Sequence, residues 1–501
     1  MIAKGIDKTQ VDTAQLSDSE NCSAINEMNN RTHNVSQDGM AALNKVETQL
    51  NDEPDSEKQP LVPPRFGFWD VEMKEIRTIV VERFFFIITL LAIVCFTIIA
   101  IYWGASYNRK KYYHKVNLLA LIQDNSQLGQ LSETILSTKG DGTLQGTWHI
   151  YNQTSFMKKH HLTNVSQVDV EFLHSIHHED YWIGFNLKPN ATDALLDSLT
   201  NENSSDLFDS HQYFEVLYES GRDPTNLKSA ILPLVEAFGT VFHHEYISSA
   251  LPSILSSINS TINNEKLIAA SNMSFLYIDN RPFINAVVLS PLQVGSIYVL
   301  ILTILQFGLW GKVHGMVSQK LKLKPLIFYR IIVSVVTLFF LSLFLCTVSA
   351  IYQIDFTKAF GRGGFLVYWM STWLIMVALA GANENMVGLI IAYGSEYLSF
   401  WIITFIILNI SPSFFPMALN SNFYRFGYAM PIYNAVDIYK VIFLDLSKHK
   451  MGRNYGILVA WCVLNYSLLP LFMKVTGEKM KKNTIEQMEK GIAMARAMGR
   501  I

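Results

Sequence analysis

The chain has 501 residues, of which 50% are hydrophobic, and its 40 basic and 42 acidic side chains give a formal net charge of −2. This near-neutral charge is not typical of a nucleic-acid-binding protein, whose partner's phosphates require a basic face. The polar stretch 105–290 contains none of the four cysteines, so a disulfide-stapled secreted module and a cysteine-based zinc site are excluded. The cysteines are Cys22, Cys95, Cys346 and Cys462.

Three segments precede the polar stretch. Residues 1–64 are rich in Asn, Gln, Ser, Asp and Glu, and we predict a disordered cytosolic tail because they bury too little apolar surface to offset chain entropy. Residues 65–83 are predicted to form an interfacial segment with aromatic side chains at headgroup depth. Residues 84–104 carry no charge and have the length of roughly 20 residues that crosses a ~30 Å hydrocarbon core. They are the predicted first transmembrane helix.

Residues 105–288 are predicted to form an extracytoplasmic α+β domain. Apolar positions at helical spacing predict a helix within 112–138 and a longer one over 224–257, interrupted by Pro233. Short runs bounded by turn residues predict strands, namely TLQGTWHIYN, VDVEFLHSI, YWIGFNL and YFEVLYES.

The same domain carries six N-x-[ST] glycosylation sequons. Their density indicates exposure to a glycosylating lumen, although an Asn- and Ser-rich segment supplies several by chance. The candidate acceptors are Asn152, Asn164, Asn190, Asn203, Asn259 and Asn272.

Five further apolar blocks predict a five-helix membrane bundle over 289–473, which gives six transmembrane helices in all. One Lys-rich segment is the loop between the first two of these blocks, and another is the tail 474–501. The positive-inside rule predicts that both segments are cytosolic. Both termini are then cytosolic and the α+β domain lies on the other side. The blocks cover about 289–310, 328–351, 365–382, 387–410 and 455–473.

No catalytic motif is found. The sequence contains no Walker A loop, no Gly-x-Ser-x-Gly elbow and no Cys-x-x-Cys pair. The His-His-Glu triplets at 177–179 and 243–245 lack the second His, one helical turn on, that a zinc-binding helix needs. We therefore predict neither an enzyme nor a metal or cofactor site.

Four polar residues in the predicted bundle are candidate substrate-contacting or proton-linked side chains. Asn383, Glu384 and Asn385 occupy a short break between the fourth and fifth predicted spans. Glu396 falls inside the fifth span, where a carboxylate must face protein or water rather than lipid. The alternatives are a structural clamp for Glu396 and a polar interfacial turn for the other three.

The connection over residues 411–453 is polar, aromatic and interrupted by Pro412, Pro416 and Pro431. It is too broken to span cleanly, so we predict short re-entrant or interfacial helices that protein shields from lipid. Such a connection can gate or line an outer vestibule.

The predicted order along the chain is one span, a large external domain and then five clustered spans. This order resembles the membrane half of ABC-2-type exporters and their ATPase-free relatives. Within that group the chain resembles the fungal nitrosoguanidine-resistance family from about 65 to 475. The stretches that carry this likeness are IYWGASYNRK, YESGRDPTN, LSPLQVGSIYVLILT, GANENMVG and FFPMALNSNFYRFGYAMPIYNAVDIYK. The resemblance implies a fungal multi-pass membrane protein with an ABC-2-like arrangement, linked to tolerance of toxic small molecules.

The first functional hypothesis is therefore drug resistance by export, or by lipid or drug handling. The alternative is a non-transporting organiser or sensor whose external domain binds a lipid, wall or protein partner. Expected partners are the lipid bilayer, an amphiphilic drug or lipid substrate, and a second copy of the chain or a separate ATPase. The plasma membrane is the first expected compartment and the endoplasmic reticulum the second.

Overall fold

The computed structural model describes residues 65–138, 144–201, 207–258 and 262–497. Within these residues, 65–87 belong to one compact unit and those from Ile88 onward to another. The predicted disordered tail over 1–64 lies outside the described residues.

The first described element is a long apolar helix. A turn precedes it, in which Arg77 Nη1 donates to the carbonyls of Phe68 (2.6 Å) and Asp70 (2.9 Å). Helix α1 (Lys74–Ile93) continues through a π-helical turn (Val94–Ile99) into α2 (Ala100–Ser106). The helix runs through residue 83 without a break, because no Pro or Gly interrupts it before residue 104. The boundary between an interfacial segment and a span at residue 83 stays a prediction.

A five-stranded mixed sheet forms the centre of the domain that follows, with strand order β2-β1-β3-β4-β5. Strand β1 is parallel to β2 and β3, β3 is antiparallel to β4, and β4 is parallel to β5. The strands are β1 (Asn117–Ile122), β2 (Thr147–Asn152), β3 (Ile183–Leu187), β4 (Phe214–Tyr218) and β5 (Leu276–Asp279). We call this unit, residues 117–279, the sheet domain.

Helices cover both faces of this sheet. Leu118 and Ala120 of β1 pack into one apolar cluster, whereas Leu119 and Leu121 pack into another on the opposite face. This alternation follows from the two-residue period of a strand, and burial of both faces explains the continuous apolar run NLLALI. The helices are α3 (Gln127–Ser137), α4 (Gln153–Lys159), α5 (Val168–His177), α6 (Ala191–Thr200), α7 (Leu232–Glu245), α8 (Leu251–Ser256) and α9 (Asn264–Ser271).

Two local predictions within this domain are wrong. The predicted helix over 112–138 is split, since its first apolar run is β1 and only its second half is helical. The predicted strand VDVEFLHSI is helix α5, in which Val168, Phe172 and Ile176 recur every fourth residue and bury one helical face.

Seven helices make up the C-terminal half. The longest internal one, α13, is continuous through residues 383–385, so the predicted break there is wrong. It ends at Gly394 instead. The helices are α10 (Gly295–Ser318), α11 (Leu323–Ile351), α12 (Thr357–Phe360), α13 (Gly364–Tyr393), α14 (Leu398–Ile410), α15 (Pro431–Leu444) and α16 (Met451–Ala497).

Among the described residues, five helices are long and apolar enough to cross a membrane. The fifth predicted span corresponds to a shorter helix over Ser395–Ile410, which at 1.5 Å per residue reaches roughly 24 Å. The multi-pass prediction is thus confirmed, and the count of six stays a prediction. The five helices are Val71–Ser106, Ala286–Ser318, Leu323–Ile351, Thr357–Tyr393 and Lys448–Met494.

Candidate functional site

The four polar residues predicted as a site lie in two different places. Asn383, Glu384 and Asn385 are buried in the interior of α13 rather than in an interfacial turn. Glu396 is exposed and belongs to a 3-10 turn, Ser395–Tyr397, between α13 and α14. Its predicted position inside a span is therefore wrong, because the preceding helix ends at Gly394 and not ten residues earlier.

Glu384 forms an ion pair inside the bundle. Arg330 Nε of α11 donates to Glu384 Oε1 at 2.7 Å, and the side chains are only 15% and 5% exposed. The Arg330 guanidinium also lies 5.3 Å from the centre of the Phe307 ring of α10. A charge in a membrane helix needs such a partner, since an unpaired one is costly to bury. The pair therefore holds α11 against α13.

The two asparagines beside Glu384 also bind neighbouring helices. Asn383 Nδ2 donates to Thr303 Oγ1 of α10 (2.9 Å), while Trp401 Nε1 of α14 donates to Asn383 Oδ1 (3.1 Å). Asn385 Nδ2 donates to the carbonyl of Asn465 in α16 at 3.0 Å. These bonds satisfy both polar atoms of Asn383 and the amide nitrogen of Asn385, whereas Asn385 Oδ1 is buried without a hydrogen-bond partner. The motif thus joins α13 to α10, α14 and α16.

A cavity of about 530 Å³ lies elsewhere, where the sheet domain meets the 411–453 connection and the start of α16. Sequence reasoning predicted that this connection lines a vestibule but did not identify its residues. Their positions run from 115 to 454, so no local motif unites them. Nine charged side chains line the cavity: Lys115, Arg222, Arg425, Lys440, Lys450, Arg453, Glu179, Asp223 and Asp437.

Glu179 is the most strongly held carboxylate in this charged cavity. Its partners are Lys450, which forms an ion pair with it, and Arg222, whose Nη2 donates to its backbone carbonyl at 3.1 Å. Burial by itself raises the pKa of Glu179, but the charges of Arg222 and Lys450 outweigh it and hold the pKa at about 2. Arg222 in turn lies 3.8 Å from the centre of the Trp182 ring.

The other two carboxylates also have partners. Asp437 Oδ2 lies 3.8 Å from Arg453 Nη2. Asp223 Oδ1 accepts bonds from the backbone N–H of Asn226 (2.8 Å) and from the hydroxyl of Thr225 (3.1 Å). The charge of Lys440 also acts on Asp437, where it opposes the effect of burial on the pKa. None of the three carboxylates forms an ion pair with the remaining cations of the charged cavity.

Those remaining cations are Lys115, Arg425 and Lys440. Lys115 Nζ donates to the Asn420 carbonyl (2.8 Å) and to Asn422 Oδ1 (3.0 Å), both neutral acceptors. Burial and the nearby charge of Arg425 lower the pKa of Lys115. Within the described residues, Arg425 and Lys440 make neither a hydrogen bond nor an ion pair. With six basic against three acidic side chains, the charged cavity has an excess of positive charge.

A second cavity, about 420 Å³, lies among α10, α11, α13 and α15 and is mostly apolar. Tyr298 and Val348 on its rim are half exposed along their helices, while Tyr368 and Tyr439 are buried at its base. Tyr439 lies about 200° around α15 from Asp437 and about 100° from Lys440, since each residue advances a helix by about 100°. The apolar groove and the charged cavity thus flank one helix.

Four of the six sequon asparagines are described, and all four are exposed on the sheet domain. Asn203 and Asn259 lie outside the described residues. No group of three or more His, Cys, Asp or Glu side chains suited to a metal ion occurs in the described part of the chain. The exposed sequons are at Asn152, Asn164, Asn190 and Asn272.

These features define a multi-pass membrane protein with a mixed α/β domain inserted after its first candidate span. The family model described as Protein of unknown function (DUF3533) matches residues 87–467, and the chain belongs to this family. A Saccharomyces cerevisiae protein described as an uncharacterized endoplasmic reticulum membrane protein is 44% identical over 455 residues, which cover 88% of this chain and 89% of the relative. No solved structure matches the chain.

The compartment of this relative agrees with the second of the two locations expected from the sequence, the endoplasmic reticulum membrane, and not with the plasma membrane. The match does not test the likeness to the nitrosoguanidine-resistance family or the ABC-2-like arrangement, and both stay predictions.

Proposed function

We propose that this protein handles an amphiphile, a lipid or a lipophilic toxic compound, at one face of the endoplasmic reticulum membrane. The observation that carries the proposal is the charged cavity, which is built jointly by the sheet domain and by segments of the membrane half. A cavity at such a junction is a common location for a ligand site.

The apolar groove supports the same function. An amphiphile has one part that seeks charge and water and another that seeks hydrocarbon, and α15 carries a surface of each kind. Two tyrosines of the charged cavity, Tyr428 and Tyr433, are of the residue type enriched at membrane–water interfaces. The proposal therefore has the sheet domain in the lumen and the ligand at the lumenal interface.

No catalytic role is proposed. The sequence lacks a nucleotide-binding motif, so movement of a ligand against a gradient needs a separate ATPase or an ion gradient, whereas movement down a gradient needs neither. Resistance to toxic compounds would then follow from redistribution of the compound or of the lipids that admit it.

The test is reconstitution of the full chain into sealed vesicles that contain a fluorescent phospholipid on both leaflets. A membrane-impermeant quencher then reports how fast the inner-leaflet probe reaches the outer leaflet. We expect faster second-phase quenching than in protein-free vesicles. The proposal is contradicted if the protein changes the rate of transbilayer movement neither of phospholipids nor of lipophilic toxic compounds, relative to protein-free vesicles.

The same preparation separates the alternative, a non-transporting organiser or sensor. In that case transbilayer rates stay at the protein-free level, and growth of cells on toxic compounds depends on the sheet domain alone. Residues 130–270, which form most of that domain, are the segment to delete in the growth assay.

A further inference from the structure

We propose that the charged cavity binds a phosphate ester through Arg425 and Lys440. This inference rests on the proposed function, because it names the ligand class of the same cavity. The two side chains are the basic groups lining it for which the structure gives no hydrogen bond or ion pair within the described residues.

The charge balance of the cavity favours an anion. Two carboxylates, those of Glu179 and Asp437, are each matched by a lysine or arginine, and that of Asp223 bonds to its own turn. A cationic ligand would therefore meet only engaged carboxylates and a surplus of positive charge. An anion instead gains attraction from the net positive charge of a lining with six basic and three acidic side chains.

The types of hydrogen-bond donor in the cavity favour a phosphate over a carboxylate as the anionic group of the ligand. Arg425 has a planar fork of N–H groups and Lys440 a compact ammonium, and both are groups that proteins use to bind phosphate. The wall beside Arg425 adds the hydroxyl of Ser421, a neutral donor. A phosphate presents several acceptor oxygens around one centre, so it can accept bonds from more than one of these donors.

The dimensions of the cavity fit a headgroup rather than an isolated ion. A volume of about 530 Å³ lies within the range of small-molecule sites, which is roughly 300–1,000 Å³. Two sources of the same chemistry remain, a phospholipid headgroup and a soluble phosphate ester. The experiment distinguishes them.

The full chain is reconstituted in phosphatidylcholine nanodiscs, and binding of phosphatidic acid is measured by native mass spectrometry. Glycerol 3-phosphate, which carries the same phosphate without acyl chains, serves as the soluble probe and as a competitor. Displacement of the lipid by glycerol 3-phosphate at similar concentration assigns the soluble ester. Binding of phosphatidic acid without such displacement assigns the lipid.

The test variant is Arg425→Gln/Lys440→Gln, and we expect at least about tenfold weaker binding, the loss of one charge-assisted hydrogen bond or more. The matched control is Lys358→Gln/Arg362→Gln, which removes the same charge from exposed side chains of the segment before α13 that do not line the cavity. Arg425→Gln alone, at an exposed position, provides a second variant should the double variant fold poorly.

Equal binding by the wild-type protein and both double variants overturns the inference, as does a wild-type protein without preference for phosphatidic acid over phosphatidylcholine. Failure of the proposed function is a separate outcome. Binding that depends on Arg425 and Lys440 but is accompanied by no transbilayer movement contradicts the transport proposal and leaves the phosphate site standing.

Discussion

Arg330 and Glu384 join two membrane helices through a single hydrogen-bonded ion pair of 2.7 Å, with the carboxylate 95% inaccessible and the guanidinium nearly so. The pair lies on residues 54 positions apart in the sequence, in α11 and α13. It explains why a Glu is tolerated in the middle of an apolar helix.

Glu384→Ala removes the carboxylate and leaves the Arg330 cation buried without its partner. Breaking a buried pair in this way costs about 3–5 kcal/mol, so we expect a large fall in the melting temperature of the purified protein in neutral detergent. The control is Glu396→Ala, in the exposed turn, with an expected change within about 0.5 kcal/mol. Equal effects of the two substitutions contradict the clamp.

Gly381 gives α13 a close approach to α16. A Cβ added at Gly381 would lie 2.7 Å from the Cβ of Asn465, which forces the helices apart. We expect Gly381→Val to lower stability by about 1–3 kcal/mol, as overpacking does. Gly388→Val is the matched control, because it lies on the same helix with open space where a Cβ would be. Thermal unfolding of both variants checks the difference, and similar melting temperatures disprove the close approach.

Glu179 gives the junction of sheet domain and membrane half a defined pH dependence. Its pKa falls from 4.5 to about 2 on folding, so its contribution is complete above about pH 4.5 and is lost as the pH falls towards 2. We expect Glu179→Gln to cost on the order of 3 kcal/mol at neutral pH and almost nothing near pH 2. The measurement is the melting temperature of both proteins across this range.

Asp180→Asn is the control for that pH series, because the Asp180 side chain is 54% exposed and lies next in the sequence. It should reduce stability little at any pH. The quantity to follow is the difference in melting temperature between the wild-type protein and Glu179→Gln. If this difference stays constant between pH 7 and pH 2, the ion pair with Lys450 does not stabilise the fold.

Glycosylation tests the orientation of the sheet domain. If it faces the lumen, treatment with an endoglycosidase should increase electrophoretic mobility, and Asn→Gln changes at Asn152, Asn164, Asn190 and Asn272 should reduce that increase. The N-terminal tail contains three further sequons, and a cytosolic tail must leave them unmodified. Glycans on the tail, at Asn21, Asn30 or Asn34, contradict the proposed topology.

The sequence predicted the multi-pass character because hydrocarbon imposes one strong requirement, namely that backbone groups bond within their own segment. It failed at residues 383–385, where three adjacent polar residues were interpreted as a turn. Polar side chains favour the end of a helix when they form their hydrogen bonds with water or with nearby backbone groups. Here the three side chains form hydrogen bonds with Thr303, Arg330 and Asn465, and none of these partners is near in sequence.

The residues of the charged cavity could not be predicted from the sequence for the same reason, since they too are far apart along the chain. Its walls come from the sheet domain, the connection and α16, and only the fold brings Glu179 to Lys450. The available signal was the connection itself, where Arg425 and Lys440 stand in an aromatic, proline-interrupted segment that cannot span a membrane. Cations in such a segment that form no ion pair are candidate ligand contacts.

The central claim is that the charged cavity lies on the route of a handled amphiphile. The direct measurement uses a chain without its native cysteines that carries Lys440→Cys, reconstituted in vesicles and modified with a bulky thiol reagent. We predict that modification slows transbilayer movement of the fluorescent phospholipid, whereas modification of Lys358→Cys does not. Unchanged movement after complete modification at position 440 contradicts the claim.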